Sequence, residues 1–253
     1  MKNRIKMIAS DLDGTLLRTD KSISDYTKST LNKCREADIK VVYATGRGGS
    51  AEHRAPSKLF DGRIVMNGAI AIADNEVVYS CLIPYKVARP LLIACHQRGL
   101  KTTSELSGMH YSNFDVFAEW QTETSFQIID FAQHDIDAEK LYAVIRNSDD
   151  IEFIEKHLPD ELYLTVSRDN LAQVMHKDAT KSKAIAKLAR FWDIAQSEIV
   201  AFGDDLNDID MLSYAGIGVA MGNALDEVKA VADFVAPNND EDGVAVWLTK
   251  NVL

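Results

Sequence analysis

The sequence predicts an α/β fold: a parallel-sheet core with helices on both faces, interrupted by an inserted α+β segment. Three observations carry this expectation. Short apolar runs at residues 5–9, 39–44 and 198–202 each end in a polar or glycine-containing turn, as buried strands do. Helix patterns separate such runs, and strand, helix, strand implies parallel pairing. From residue 82 to residue 178 that alternation gives way to hairpin-rich sequence. The expected organisation is a core in two parts, 1–81 and 179–253, around an inserted α+β domain, 82–178, of a size compatible with its own hydrophobic core.

Bulk composition narrows the function classes. Of 253 residues, 46% are hydrophobic, and 28 basic against 38 acidic residues leave a net charge of -10. That balance disfavours a nucleic-acid or anionic-membrane surface, while a bound metal and local lysines still permit an anionic small substrate. No apolar run reaches the roughly 18 residues of a membrane span. Cys34, Cys81 and Cys95 are odd in number and lack metal-ligand spacing, so reduced thiols in the cytoplasm are expected.

The first strand runs into Ser10-Asp11-Leu12-Asp13-Gly14-Thr15-Leu16. Two carboxylates two residues apart at a strand's carboxyl end are costly to hold together unless a cation neutralises them. That edge of an α/β sheet is where ligands bind. Asp11 and Asp13 therefore point to a hard-metal site, with Mg²⁺ the expected ion and one carboxylate left to act on the substrate. Asp and Gly are also ordinary turn residues, so this stretch needs the others.

Ser24 and Asp25 open a helix with Tyr26, Leu31, Cys34 and Ala37 on its apolar face. The strand at 39–44 continues into Thr45-Gly46-Arg47-Gly48-Gly49-Ser50, which puts Thr45 at the same sheet edge as Asp11. Its hydroxyl, the N–H groups beside Gly46 and the Arg47 guanidinium suit a phosphate. A helix is expected over 50–59 despite Pro56. A strand and turn follow over 63–69, then a hairpin over 71–79 turning at Asp74-Asn75. Asn67 is a turn residue first, with an amide able to meet substrate.

Within 82–178, a helix follows Pro84 and ends near Arg98-Gly99. Strands are expected at 101–103, 109–111, 141–145, 162–166 and 171–175, with a helix at 151–157. The stretch holding Phe114, Phe117 and Trp120 has no readable period. His96, His110, His134, His157 and His176 are scattered and form no ligand motif.

Thr180 then caps a lysine-rich helix. A lysine at the positive end of a helix dipole asks for nearby carboxylates. The strand at 198–202 ends in Gly203-Asp204-Asp205-Leu206-Asn207-Asp208. Coupled to Asp11 and Asp13 across neighbouring strand ends, these side chains supply the oxygen ligands of a six-coordinate Mg²⁺. A helix from Asp208, a strand and turn at 217–224, a helix at 225–230, a strand at 233–237 and a helix at 244–248 complete the core.

Asp11-Leu12-Asp13-Gly14-Thr15-Leu16, Ala44-Thr45-Gly46-Arg47, Thr180-Lys181 and Gly203-Asp204-Asp205-Leu206-Asn207-Asp208 together resemble the haloacid dehalogenase-like hydrolase superfamily over nearly the whole chain. Within it, the match is to the Cof-type phosphatases that carry an α/β cap, and residues 218–224 are also similar to that group. The resemblance implies a Rossmann-like core and a Mg²⁺-dependent phosphatase acting on small phosphate monoesters, sugar phosphates or similar metabolites, through a phosphoaspartate. It implies Asp11 as nucleophile, Asp13 as proton carrier, Thr45 as donor to a phosphoryl oxygen and Lys181 as neutralising charge. The implied metal ligands are Asp11, the Asp13 backbone carbonyl, Asp204 and Asp208. The implied substrate contacts are Thr45, Gly46, Arg47, Asn67, Lys181 and Asn207, with Glu105, His110, Tyr111, Glu119 and Trp120 as cap candidates.

Ser182 after Lys181 and Gly48-Gly49 after Arg47 depart from the group's pattern without removing a catalytic group. Two rivals stand beside the phosphatase: a phosphomutase or phosphotransferase of the same superfamily, and a non-enzymatic phospho-accepting module. Asp13 speaks against the module, which gains little from a built-in general base. No G-x-G-x-x-G opens a helix after a strand, which removes a dinucleotide enzyme. Monomer and homodimer both stay open.

Overall fold

The computed structural model describes residues 5–48, 51, 53–121, 124–167 and 170–253. The chain divides into two compact units, Met1–Ser80 with Thr180–Leu253, and Cys81–Ala179.

The first unit begins with β1 (Met7–Ser10), buried throughout. α1 (Asp25–Glu36) starts where the Ser24 hydroxyl accepts the Thr27 N–H, as an N-cap should. β2 (Lys40–Ala44), β3 (Gly62–Val65), β4 (Ile70–Ala73) and β5 (Glu76–Ser80) follow. The helix expected over 50–59 is corrected: its described part holds turns and a short 3-10 turn at Ser57–Leu59, while residues 50 and 52 lie outside the described set. Pro56 is the reason, since it has no N–H to donate and sits at ψ 122, outside the helical region.

The second unit opens with α2 (Tyr85–Gln97), then β6 (Thr102–Leu106), β7 (Met109–Ser112), α3 (Val116–Trp120) and β8 (Ser125–Ile128). β9 (Lys140–Val144), α4 (Ser148–His157), β10 (Leu162–Val166) and β11 (Leu171–His176) complete it. Its sheet runs β10-β11-β9-β6-β7-β8 among the described residues. Leu91, Leu92, Leu141, Ala143, Ile154 and Val174 belong to its own core. The stretch without a readable period is α3 and β8, each only a turn or a few residues long, too short for periodicity to show.

The chain then returns with α5 (Lys181–Phe191), β12 (Ile199–Gly203), α6 (Ile209–Tyr214), β13 (Ile217–Ala220), α7 (Asp226–Val231), β14 (Phe234–Val235) and α8 (Gly243–Asn251). The first unit's sheet has the order β14-β13-β12-β1-β2-β3-β4-β5. It is parallel from β14 to β3, and β4 and β5 add antiparallel strands at one edge. Met7, Ile8, Val41, Val42, Val200 and Phe202 are almost fully buried, as strands covered on both faces must be. Among the described residues no helix is long and apolar enough to cross a membrane.

One buried charge organises the start of α4. The Asp150 side chain, 1% exposed, accepts from Arg98 Nε at 2.9 Å, from Arg146 Nε and Nη2 at 2.8 and 2.9 Å, and from the Arg146 N–H at 3.1 Å. The Arg146 hydrogen bond, aided by Arg98, holds its pKa well below the usual carboxylate range. Asp150→Ala is expected to cost about 2 kcal/mol of stability at neutral pH, measured by urea unfolding. Because the folded-state pKa is depressed, this contribution is complete above the ordinary Asp value of about 3.9 and is lost as pH falls below it. Parent and variant curves should therefore converge in acid.

Candidate active site

β1 lies between β12 and β2, with Ser10 opposite Phe202 on one side and Tyr43 on the other. The residues that leave these strands next, Asp11, Asp204 and Thr45, thus emerge side by side. The strand order changes direction here, and such a switch point opens a crevice at the sheet's carboxyl edge.

Two glycines let the loops close on each other. Gly14 has φ +83, and a Cβ there would sit 2.3 Å from Asp204 Oδ2; neither condition tolerates a side chain. A Cβ on Gly203 would lie 2.4 Å from the Asp208 Cβ. Asp204 Oδ1 accepts the Thr15 hydroxyl at 2.6 Å. Asp208 Oδ2 accepts the N–H groups of Asp204 and Asp205 at 3.0 and 3.1 Å, bracing the loop from within.

Lys181, the first residue of α5 and fully buried, joins the two sides. Its Nζ donates to Asp11 Oδ1 at 2.6 Å and to Asp208 Oδ1 at 2.5 Å. Asp11, Asp204 and Asp208 each offer a carboxylate oxygen within 4.8 Å of the others. Burial pushes the Asp11 carboxyl up to about 8; Lys181 opposes this, while Asp208 and Asp204 add to it. Burial also lifts Asp204 to about 6, against the Thr15 hydrogen bond. Burial disfavours the Lys181 ammonium, but Asp11 and Asp208 outweigh that and raise its pKa. Three carboxylates thus face one ammonium in a space largely closed to water, and the surplus negative charge draws in protons. A divalent cation with oxygen ligands fits that surplus.

The rest of the edge is polar and built with local strain. Thr45 is buried, its N–H bonded to the Ile64 carbonyl and its hydroxyl oxygen accepting the Arg47 N–H at 3.2 Å. Met66 and Asn67 both take left-handed backbone, φ 50 and 51, which is uncommon outside glycine and costly for a long side chain such as Met66. That path brings Asn67 Oδ1 over Gly46, where a Cβ would be 2.8 Å away, and lets Asn207 Nδ2 donate to it at 3.0 Å. Asp13 turns elsewhere. Its Oδ2 accepts Arg47 Nε at 2.5 Å, and its Oδ1 accepts Arg47 Nη2 at 2.8 Å and Lys21 Nζ at 2.9 Å. Burial alone would raise this carboxyl, yet the Arg47 and Lys21 hydrogen bonds prevail and hold it at about 2.

A family profile described as haloacid dehalogenase-like hydrolase matches residues 8–248. The chain belongs to the haloacid dehalogenase-like hydrolase family. This hydrolase is similar to a 5-amino-6-(5-phospho-D-ribitylamino)uracil phosphatase of Bacillus subtilis, at 34% identity over 256 residues, covering 98% of this chain and 96% of the relative. It is similar to a pyridoxal phosphate phosphatase of Escherichia coli at 28% identity, with coverages of 98% and 99%. Among solved structures, a phosphatase of the haloalkanoate enzyme superfamily from Bacteroides thetaiotaomicron matches with a TM-score of 0.84 at 28% identity, covering 99% of this chain and 97% of that one. Phosphoric monoester hydrolysis is the activity class of this group, and the non-enzymatic module falls away.

In this hydrolase, the structure gathers Asp11, Lys181, Asp204 and Asp208 into one hydrogen-bonded or near-contact cluster, and Gly46, Asn67 and Asn207 into a second. Arg47 and Asp13 form a third with Lys21. Arg47, expected at a phosphate, has its guanidinium on Asp13 instead. Sequence reasoning missed three residues. Thr15, inside the first motif, holds Asp204; Asp210 accepts the Ser182 N–H at 2.8 Å at the start of α5; Lys21 reaches Asp13 from outside any motif. Thr15 sits in a run already read as functional, Asp210 lies two residues beyond one, in what the sequence marks only as a helix, and Lys21 carries no sequence signal.

Gly14→Ala should push Asp204 off its present position. Binding of Mn²⁺, followed by electron paramagnetic resonance, is expected to weaken about tenfold or more. Unchanged affinity would show that the Gly14–Asp204 contact does not set the cation site.

Proposed function

We propose that this hydrolase is a Mg²⁺-dependent phosphatase that cleaves small phosphorylated metabolites, sugar phosphates or similar compounds, through a phosphoaspartate on Asp11. The observation that carries the reading is the buried Lys181 ammonium held at 2.6 Å from Asp11 Oδ1, beside the carboxylates of Asp204 and Asp208. Curated relatives act, by name, on a ribitylamino-uracil phosphate and on pyridoxal phosphate, and both are small phosphate monoesters.

Asp11, Asp204, Asp208 and the Asp13 backbone carbonyl are the residues that would hold Mg²⁺. Bound there, the cation supplies charge that keeps Asp11 ionised and offsets its repulsion from a phosphate dianion. Lys181 fixes Asp11 Oδ1 and leaves Oδ2 to attack phosphorus. The Thr45 hydroxyl, the backbone around Gly46 and the Asn67–Asn207 amide pair hold the phosphoryl oxygens. Asp13 is proposed to protonate the departing alcohol as its bond to phosphorus breaks, a role that requires the Arg47 and Lys21 contacts, which hold its carboxyl at about 2 in this structure, to loosen when substrate binds. In the second half, Asp13 takes a proton from the water that attacks the phosphoaspartate, and phosphate leaves with Asp11 restored. Residues 82–178 are proposed as the cap that sets specificity, with Glu105, His110, Tyr111, Glu119 and Trp120 as candidate contacts.

A panel of phosphate monoesters assayed with Mg²⁺ and with EDTA tests this reading. Phosphate release is expected only with the metal. Asp11→Asn should lose at least about three orders of magnitude in kcat, and release equal to the parent's would remove Asp11 from the nucleophile's role.

A further inference from the structure

We infer that Asn223 is a positioning residue for the cation site: its amide fixes the Gly14–Thr15 peptide and, through it, the carboxylate of Asp204. The inference rests on the reading of Asp11, Asp204 and Asp208 as ligands of Mg²⁺. Gly14 lets Asp204 approach because it has no Cβ and holds φ +83. For the same reason it is the joint of the first loop with the widest choice of backbone angles. The peptide after it leads straight to Thr15, whose hydroxyl donates to Asp204 Oδ1 at 2.6 Å. A peptide unit is planar, so whatever holds the Gly14 carbonyl also sets where the Thr15 side chain begins.

Asn223 holds that carbonyl. It lies in the turn after β13, and its Nδ2 donates to the Gly14 oxygen at 2.8 Å. Its Oδ1 accepts the Asn239 N–H at 3.0 Å. One partner can only accept and the other can only donate, so a single orientation of the amide satisfies both. The turn is itself tied to the second acidic loop. The Met221 N–H donates to the Gly203 carbonyl at 3.0 Å, and the Leu225 N–H donates to the Asp204 carbonyl at 3.1 Å. Residues 221–225 therefore grip both sides of the Gly14–Asp204 contact, one through a side chain and the other through backbone. Asn239 extends the brace: it is buried, and its Nδ2 donates to the Leu17 carbonyl at 3.0 Å.

Stability does not explain the arrangement. Asn223 is exposed, and a hydrogen bond that water can replace adds little to folding. A water molecule on the Gly14 carbonyl, however, would not be tied to Asn239 or to the turn at 221–225, so the direction would be lost. The neutral amide also orients the loop without adding charge beside the acidic cluster, as a carboxylate of the same shape would. Asn223 is not itself a ligand; it acts through Gly14, Thr15 and Asp204.

The test is titration of the full chain with Mn²⁺, followed by electron paramagnetic resonance, which reads affinity and number of sites separately. It is paired with the Mg²⁺ dependence of p-nitrophenyl phosphate hydrolysis. Asn223→Ala is expected to bind Mn²⁺ about tenfold more weakly than the parent and to need about tenfold more Mg²⁺ for half-maximal rate, while kcat at saturating Mg²⁺ stays within about threefold. Its urea unfolding midpoint without metal should match the parent's. Asn223→Ser, whose shorter stem cannot span Gly14 and Asn239, should behave alike. Unchanged affinity in both variants would overturn the inference. So would fewer sites at unchanged affinity, which is what a merely structural residue would give. A parent that binds no Mn²⁺, or an Asp204→Asn protein that binds it as the parent does, would instead refute the cation-site reading and the Asn223 role with it. Binding lost in Asp204→Asn but kept at parental affinity in Asn223→Ala would refute the Asn223 role alone.

Discussion

The candidate site depends on one unequal balance of charge. Lys181, buried at the start of α5, answers Asp11 and Asp208 at once, and among the described residues no ammonium bonds Asp204, which accepts the Thr15 hydroxyl instead. Buried carboxylates held this close cannot all remain ionised in a medium that solvates charge poorly. Burial first, and the neighbouring carboxylates after it, displace Asp11 and Asp204 upward. A protein that kept such a cluster for stability alone would do better with apolar side chains of similar volume. The arrangement makes sense when a cation completes it.

The backbone is shaped to permit the cluster. Gly14 and Gly203 remove the two side chains that would separate Asp204 and Asp208 from their neighbours. Gly68, at φ +104, allows its chain to pass the Thr180 carbonyl, where a Cβ would stand 2.1 Å away; this packs the Met66–Gly68 turn against the cap of α5. Left-handed Met66 and Asn67 add cost in the same place. Strain gathered around one strand edge marks a site built for positioning rather than for stability.

Much of this was legible in the chain because contiguous residues carry it. Asp11 directly follows a strand, Asp204 and Asp208 directly follow another, and Thr180-Lys181 opens a helix; the βαβ rule then puts the ends side by side. What was not legible depends on the paths of turns and on side-chain direction. Arg47 follows Thr45 closely enough to suggest a phosphate contact, whereas in this structure its guanidinium lies on the Asp13 carboxylate, a side-chain direction that spacing does not give. Lys21 meets Asp13 only because the Arg18–Ser22 turn is fastened to Asp240 and Asp242, far away in sequence. The helix expected over 50–59 breaks at Pro56, which has no N–H to donate and takes ψ 122.

Calorimetric titration of Mg²⁺ into the protein at neutral pH, repeated in buffers of different ionisation enthalpy, tests the charge balance most directly. Binding of a divalent ion with release of protons from the carboxylate cluster, both abolished or strongly weakened by Asp204→Asn, is the expected result. No binding, or binding that neither releases protons nor depends on Asp204, would contradict the claim that this cluster is completed by a cation.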